Sequence, residues 1–295
     1  MCEFESGKGR GIISIILMVI VYNIGISFLL YISNNYILSS LFKILSVGGN
    51  LYLLYYLFLF ISLKYVVDND NLTIIGIYGL KKVTIPIKNI KGYNEQKGKI
   101  KGIRLSGIAN NSFALGRSII DKIGVTRMFV TQNDNVFYLN TDEINYACSP
   151  KNYSEFERVL KDKGLEDKIW EHKYTKKISL HKDKRFIFLF TLVSIIIIVI
   201  TLNPFILYLK HILPATMPLS FDAAFKPVLY GTSKQFAFKQ MVYGALNMVI
   251  LFCMYYASYF HAKYDKKSSY IYIYVALIIA LVFLVLQFRI LYVYW

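Results

Sequence analysis

The feature that most constrains this chain is a set of five long apolar runs, at residues 11–32, 41–63, 186–209, 241–261 and 270–292, divided by one polar island at 64–185. Each run is long enough to cross a hydrocarbon core of roughly 30 Å as a helix. So much apolar surface points to an α-helical membrane protein with about five transmembrane helices. The composition agrees, with 56% hydrophobic residues and a mean hydropathy of +0.44. The first run has no small-residue cleavage site and is too long for a signal-peptide core, so it reads as an uncleaved anchor. Asn203-Pro204 falls late in the third run and is expected to kink it or mark its exit from lipid.

Charge orients these runs. The chain carries 34 Lys and Arg against 18 Asp and Glu, a net +16. Lys182, Lys184 and Arg185 precede the third run, and Lys263, Lys266 and Lys267 divide the fourth from the fifth. By the positive-inside rule these segments, and the island with them, are expected on the cytosolic side of a bacterial cell membrane. The link at 33–40 is short and uncharged, so the first two runs form a hairpin that leaves the N-terminus on that side too. A fifth run then puts the C-terminus outside. Lys210, Lys226, Lys234 and Lys239, in the outer loop at 210–239, oppose this topology but are sparser. The basic excess suits anionic lipid, worth about 1 kcal/mol per residue near the surface, and no nucleic-acid partner is expected.

The division is therefore a two-helix hairpin (1–63), the body of the island (64–164), a basic connector (165–185) and a three-helix region (186–295). Within the island, β-branched stretches at 65–67 and 72–75 flank the turn-rich Asp68-Asn69-Asp70-Asn71. Val83-Thr84-Ile85 before Pro86 suits an edge strand, and residues 100–105 alternate as a half-buried strand. Residues 125–131 and 136–141 bracket Gln132-Asn133-Asp134-Asn135 as a second hairpin, and 144–148 form a last strand. Ser149-Pro150 then opens a helix, with Ser as cap, Tyr153, Phe156 and Leu160 at helical spacing, and Gly164 as the stop.

This segment resembles a bacterial PH-like domain. The resemblance rests on Tyr65 to Leu72, Ile85-Pro86-Ile87 with Ile90, Arg104 to Gly107, Phe113 to Gly116, Val130-Thr131, residues 136–141, and Tyr146 to Pro150 with Phe156. The order of elements, about seven strands and then one helix, itself suggests a small antiparallel barrel or sandwich capped by a helix; the resemblance implies a β-rich PH-like cytosolic domain, a tendency to bind partners or oligomerise, and no catalytic residues. Lys81, Lys82, Lys88, Lys91, Lys97, Lys99 and Lys101 would be its basic, lipid-facing surface.

The outer loop carries a second pattern: Leu213, Pro214, Pro218, Phe221, Asp222, Pro227, Tyr230, Gly231 and Lys234. This order is similar to a loop of the Sdp-type immunity proteins, whose members include proteins that protect a bacterium from its own membrane-active toxin. Ser220 stands where that family usually has His, Phe225 where it has Gly, and one extra residue separates Gly231 from Lys234.

No reaction is indicated. The four histidines lack ligand spacing, and Cys2, Cys148 and Cys253 are isolated in sequence. Gly92 and Gly98-Lys99 lack the spacing and the Ser or Thr of a phosphate loop. No nucleophile elbow is present. No catalytic residue, metal or cofactor is expected. Asn23, Asn50, Asn247 and Gln287 are expected to hydrogen-bond between helices, and Arg289 to snorkel. The sequence thus reads as a non-catalytic sensor, scaffold or immunity protein. Its partners would be the bilayer, an extracytoplasmic peptide, and a cytosolic or membrane protein. An accessory subunit or small permease is the alternative.

Overall fold

A computed structural model describes residues 2–142, 144–170, 180–264 and 266–294. The chain divides into two compact units, Met1–Tyr22 with Gly48–Thr175, and Asn23–Val47 with Lys176–Trp295. Among the described residues, five helices are long and apolar enough to cross a membrane. The first two, α1 (Gly11–Ile32) and α2 (Tyr36–Ser62), each contribute one half to either unit. α2 starts five residues earlier than the apolar run at 41–63, so the expected link at 33–40 shrinks. The Asn35 side chain accepts from the N–H groups of Ile37 (2.9 Å) and Leu38 (3.4 Å), which stops the link at that residue.

The first unit holds β1 (Cys2–Glu5) and then β2 (Lys64–Val67), β3 (Asn71–Gly76), β4 (Lys81–Pro86), β5 (Ile90–Gln96), β6 (Gly102–Ala109), β7 (Ala114–Ile120), β8 (Gly124–Val130), β9 (Val136–Thr141) and β10 (Asn145–Cys148), closed by α3 (Tyr153–Asp162). The nine described strands from Lys64 to Cys148, followed by one helix, are close to the expected string of about seven. β5 and β7 escaped the sequence reading because Gly and polar residues interrupt their alternation. The strand expected at 100–105 begins at Gly102 and runs on to Ala109.

Two sheets form, with strand orders β1-β2-β3-β4 and β5-β9-β10-β8-β7-β6. The Asp68–Asn71 turn makes the expected β2–β3 hairpin, and β4 with Pro86 is indeed an edge. The expected hairpin of 125–131 with 136–141 does not form. β10 lies between them, parallel to β8 and antiparallel to β9. Alternation marks a strand as half-buried but does not choose its neighbour.

The cap at Ser149 is also corrected. α3 starts at Tyr153, and Ser149 is fully buried, its Oγ accepting from the Thr131 N–H (2.9 Å). Tyr153 is exposed while Phe156 and Leu160 face the core, and Gly164 ends the helix with φ +76°.

The N-terminal residues, placed with the helical hairpin in the division by sequence, are part of the β structure. β1 pairs antiparallel with β2, Phe4 is buried edge-on to Phe156 (5.2 Å), and Gly7 accepts from the Thr131 hydroxyl (2.6 Å). Ile15 of α1, Leu59 and Phe60 of α2, and Leu63 directly after it lie in the same core as Tyr65, Leu72, Phe113 and Phe129. Helix ends and β domain therefore share one apolar interior.

The second unit holds α4 (Lys184–Leu209), a hairpin of β11 (Thr216–Phe221) and β12 (Pro227–Thr232), α5 (Ser233–Ala262) and α6 (Lys266–Tyr294). The loop at 210–239 is thus shorter than expected, and the fourth helix begins at Ser233 rather than 241. Lys234, Gln235 and Lys239 hide its first turns from a hydropathy reading. The start is nevertheless written locally: Thr232 Oγ1 accepts from the Gln235 N–H (3.2 Å) while Gln235 Oε1 accepts from the Thr232 N–H (2.9 Å). α4 passes through Pro204 to Leu209. Of the connector, residues 171–179, with His172, Lys173, Lys176 and Lys177, lie outside the described residues.

Candidate functional site

The seven lysines of the expected basic surface fall at three places. Lys81 and Lys82 open β4, Lys88 lies in the turn into β5 with Lys91 just inside that strand, and Lys97, Lys99 and Lys101 belong to the β5–β6 loop. Lys91 pairs with Asp142, and Lys97 lies 3.8 Å from Glu95 and over the Tyr153 ring. The β5–β6 loop is tied to the β6–β7 turn by the Ile100 N–H donating to Asn111 O (3.1 Å). That turn reaches α1 through the Asn110 amide donating to Ser14 Oγ (3.2 Å).

Lys81 stands apart from the other six. Its ammonium donates to the Tyr55 hydroxyl on α2 and lies 4.9 Å from the Tyr55 ring centre and 5.5 Å from that of Phe129. Arg127, on β8 of the other sheet, lies over the same Phe129 ring at 5.3 Å. Burial, and then the Arg127 charge, push the Lys81 pKa down to about 8. Sequence reasoning missed Arg127 and Tyr55. The alternation of Thr126, Arg127 and Met128 in β8 was the available signal for the first, and nothing local marks the second.

The turn between β3 and β4 completes this corner. Gly76 lies so close to α2 that a Cβ there would come within 2.3 Å of Leu59. Beyond it, Ile77 and Tyr78 take φ +51° and Gly79 +95°, leaving Tyr78 76% and Leu80 89% exposed. A β-branched residue in the left-handed region is costly and uncommon. The fold holds this turn open against local preference. A cleft of about 570 Å³ beside it is lined by Glu3, Lys8, Lys64, Tyr78 and Lys82 among others, with Glu3 and Lys64 paired at 2.7 Å.

The second candidate set builds the β11–β12 hairpin. Pro218 faces Tyr230, Met217 faces Gly231, and Phe221 faces Pro227. Asp222 makes the turn, its Oδ1 accepting from the N–H groups of Ala224 (2.9 Å) and Lys226 (2.8 Å). Leu213 and Phe221 are buried beneath the hairpin, Pro214 is half-buried, and Lys234 lies over the Phe238 ring. Phe225 has φ +63°, a conformation glycine takes without strain, and it stands where the immunity-protein resemblance expects Gly. It stacks on Phe221 (4.5 Å) and under the Arg289 guanidinium (4.0 Å). Arg289 also donates to the Tyr36 hydroxyl. These residues are therefore occupied in building one element. Among the described residues, no group of three or more His, Cys, Asp or Glu is placed to hold a metal ion.

Known proteins agree with the first of these two settings. Residues 63–164 match the bacterial PH domain family. The chain is 44% identical over 255 residues, 86% of each chain, to the protein titled "Uncharacterized protein CA_C1301" of Clostridium acetobutylicum. It belongs to that protein's family. A match of this length takes in the PH domain of this chain together with residues on both sides of it. No solved structure matches the chain. Nothing in these comparisons supports the Sdp-type immunity family for residues 186–295.

Proposed function

We propose that the protein is a non-catalytic scaffold of the bacterial cell membrane. In this reading its PH domain is fixed on the cytosolic face and binds a protein partner there. The observation that carries the reading is the shared core. Ile15, Leu59 and Phe60, from two candidate spans, are buried among the side chains of the PH domain. A reader on a flexible tether needs no such seam, whereas a platform held at one height and orientation does.

The distribution of charge supports the sidedness. Lys8, Arg10, Lys64, Lys184, Arg185, Lys263 and Lys266 lie at the helix ends that an alternating topology gathers on the PH-domain side. Two of the four opposing lysines have structural roles, Lys239 donating to Leu219 O (2.6 Å) and Lys234 over Phe238. The permease alternative is weaker, because Asn247 bonds Tyr243 O and Gln287 bonds Ile200 O. In that arrangement both amides serve helix backbones.

The test is labelling by a membrane-impermeant maleimide in a Cys2→Ser, Cys253→Ser background. Lys88→Cys should react only in inside-out vesicles and Ala224→Cys, in the hairpin turn, only in right-side-out ones. Reaction of both from one side rejects the topology. Photocrosslinkers at exposed PH-domain positions such as Arg104 should then yield a discrete adduct with one protein in intact cells. Crosslinks to lipid alone would count against a scaffold.

A second reading, protection against an extracytoplasmic membrane-active peptide, is favoured by one feature. β12 presents Val228, Leu229 and Tyr230 at 54–69% exposure in a two-stranded sheet, a surface open to strand addition. Unchanged sensitivity of a deletion strain across a broad panel of such peptides would remove it.

A further inference from the structure

We propose that the β3–β4 turn, Tyr78-Gly79-Leu80, is immersed in the bilayer leaflet on the PH-domain side and that Lys81 marks the headgroup level above it. The proposal rests on reading α2 as a membrane span.

Three observations lead to it. The first is position along the helix. A hydrocarbon core of roughly 30 Å takes about 20 helical residues, and counting from Tyr36 that number ends at Tyr55. Lys81 touches Tyr55, and Gly76 touches Leu59. The β3–β4 hairpin therefore does not stop where α2 ends at Ser62. It runs back beside the last turn of α2, and the Lys81 side chain reaches on to Tyr55, about 10 Å before the helix end, the height at which the lipid interior begins.

The second is direction. Lys64, which follows α2, pairs with Ile75, and Gly76 pairs with Lys81. β2 leaves the helix end, β3 returns toward it, and the turn lies beyond Gly76 on the returning course. Its residues thus lie beside the last turn of α2, Tyr78 and Gly79 lining one cleft with Ile61, Ser62 and Leu63.

The third is composition and conformation. An aromatic, a glycine and a leucine followed by Lys81 and Lys82 match the order of groups across an interface, with the ring at headgroup depth, apolar groups below and ammonium groups reaching back to water. In water, Leu80 at 89% exposure and a left-handed Ile77 would be two costs without return. In lipid the first becomes favourable, and the second is what aims the turn outward. At this depth the Lys81 ammonium donates to the Tyr55 hydroxyl and lies over its ring.

The test uses the full chain, with Cys2→Ser and Cys253→Ser, in vesicles of phosphatidylcholine and phosphatidylglycerol. A nitroxide is attached in turn at Leu80→Cys, at Val47→Cys on α2, and at Lys88→Cys at the far end of β4. All three positions are exposed, so labelling leaves the core intact. Collision with oxygen, which concentrates in lipid, is compared with collision with a water-soluble nickel chelate. The oxygen-to-nickel ratio at Leu80 should be several-fold above that at Lys88 and close to that at Val47. A Leu80 ratio equal to that of Lys88, with Val47 reading lipid, overturns the immersed turn alone. A watery Val47 overturns the spanning reading of α2 and the turn with it. A Leu80 label shielded from both reagents would mean contact with protein and likewise overturns the proposal.

Discussion

Proline lacks a backbone N–H, so Pro204 leaves the Ile200 carbonyl without its helical donor, deep in an apolar helix. Gln287 on α6 supplies the missing bond, its Nε2 donating to Ile200 O at 2.7 Å. Gln287 is fully buried and is thus explained as a patch on a neighbouring helix. Gln287→Leu should destabilise the helical unit by about 1–3 kcal/mol, because a buried carbonyl is left unpaired. Pro204→Ala in the same chain should restore most of that loss, since alanine brings its own N–H. Thermal unfolding in detergent measures both, and equal loss in the single and double variants would refute the pairing. Asp183 is a second case. Its carboxylate accepts from the Arg185 (3.0 Å) and Phe186 (3.4 Å) N–H groups, from the Tyr270 hydroxyl (2.7 Å) and from Lys266 (2.5 Å). Lys266 first, and then Tyr270, hold its pKa well below the usual carboxylate range. A native pKa below the unfolded one gives stability that is present above about pH 4 and fades only as pH falls toward the depressed value. Asp183→Asn, which keeps the cap but loses the charge facing Lys266, should therefore cost about 1 kcal/mol, with the same gap in unfolding midpoint at pH 7 and pH 5. A gap that closes by pH 5 would contradict this.

Among elements, β1 shows how little a short segment reveals of itself. Cys2–Glu5 has too few residues for a periodic signal, and it precedes an apolar helix, so it reads as a flank of that helix. Only the pairing with β2 makes it a strand, and only the fold brings Phe4 onto Phe156. Phe4→Ala should cost about 3–5 kcal/mol in the stability of the PH domain, as a buried ring is lost. Hydrogen exchange at β2 and α3 should rise in parallel, and unchanged protection there would show that β1 is dispensable. The start of α5 was readable by contrast. Thr232 and Gln235 stand three apart ahead of an apolar stretch, a signal in the sequence that hydropathy alone passes over. The β8–β9 hairpin was misread because both strands and a fitting turn were present, while the intervening β10 came later in the chain.

For the whole molecule, the consequential feature is that one of the two apolar clusters of the PH domain is completed from outside it. Residues 63–164 carry the family match, yet Phe4, Ile15, Leu59 and Phe60 from outside it complete the interior. A fragment of 63–164 expressed alone should be poorly soluble and lack the dispersed amide spectrum of a folded domain. Residues 1–164 in detergent should fold. A soluble, well-dispersed fragment would show the helix ends to be accessories, and with them the platform reading would fall.

The sequence alone determined the five apolar helices, the β-rich island between them, and the PH family of that island. These depend on residue type at short spacing, which a chain displays in order. The tertiary structure alone decided that the seven lysines divide among three places and that Arg127 and Tyr55 join Lys81. It also decided that the N-terminal residues belong to the first sheet and that the β3–β4 turn stands beside α2. Each of these is a meeting of residues far apart in the chain, and such a meeting leaves no local pattern to read.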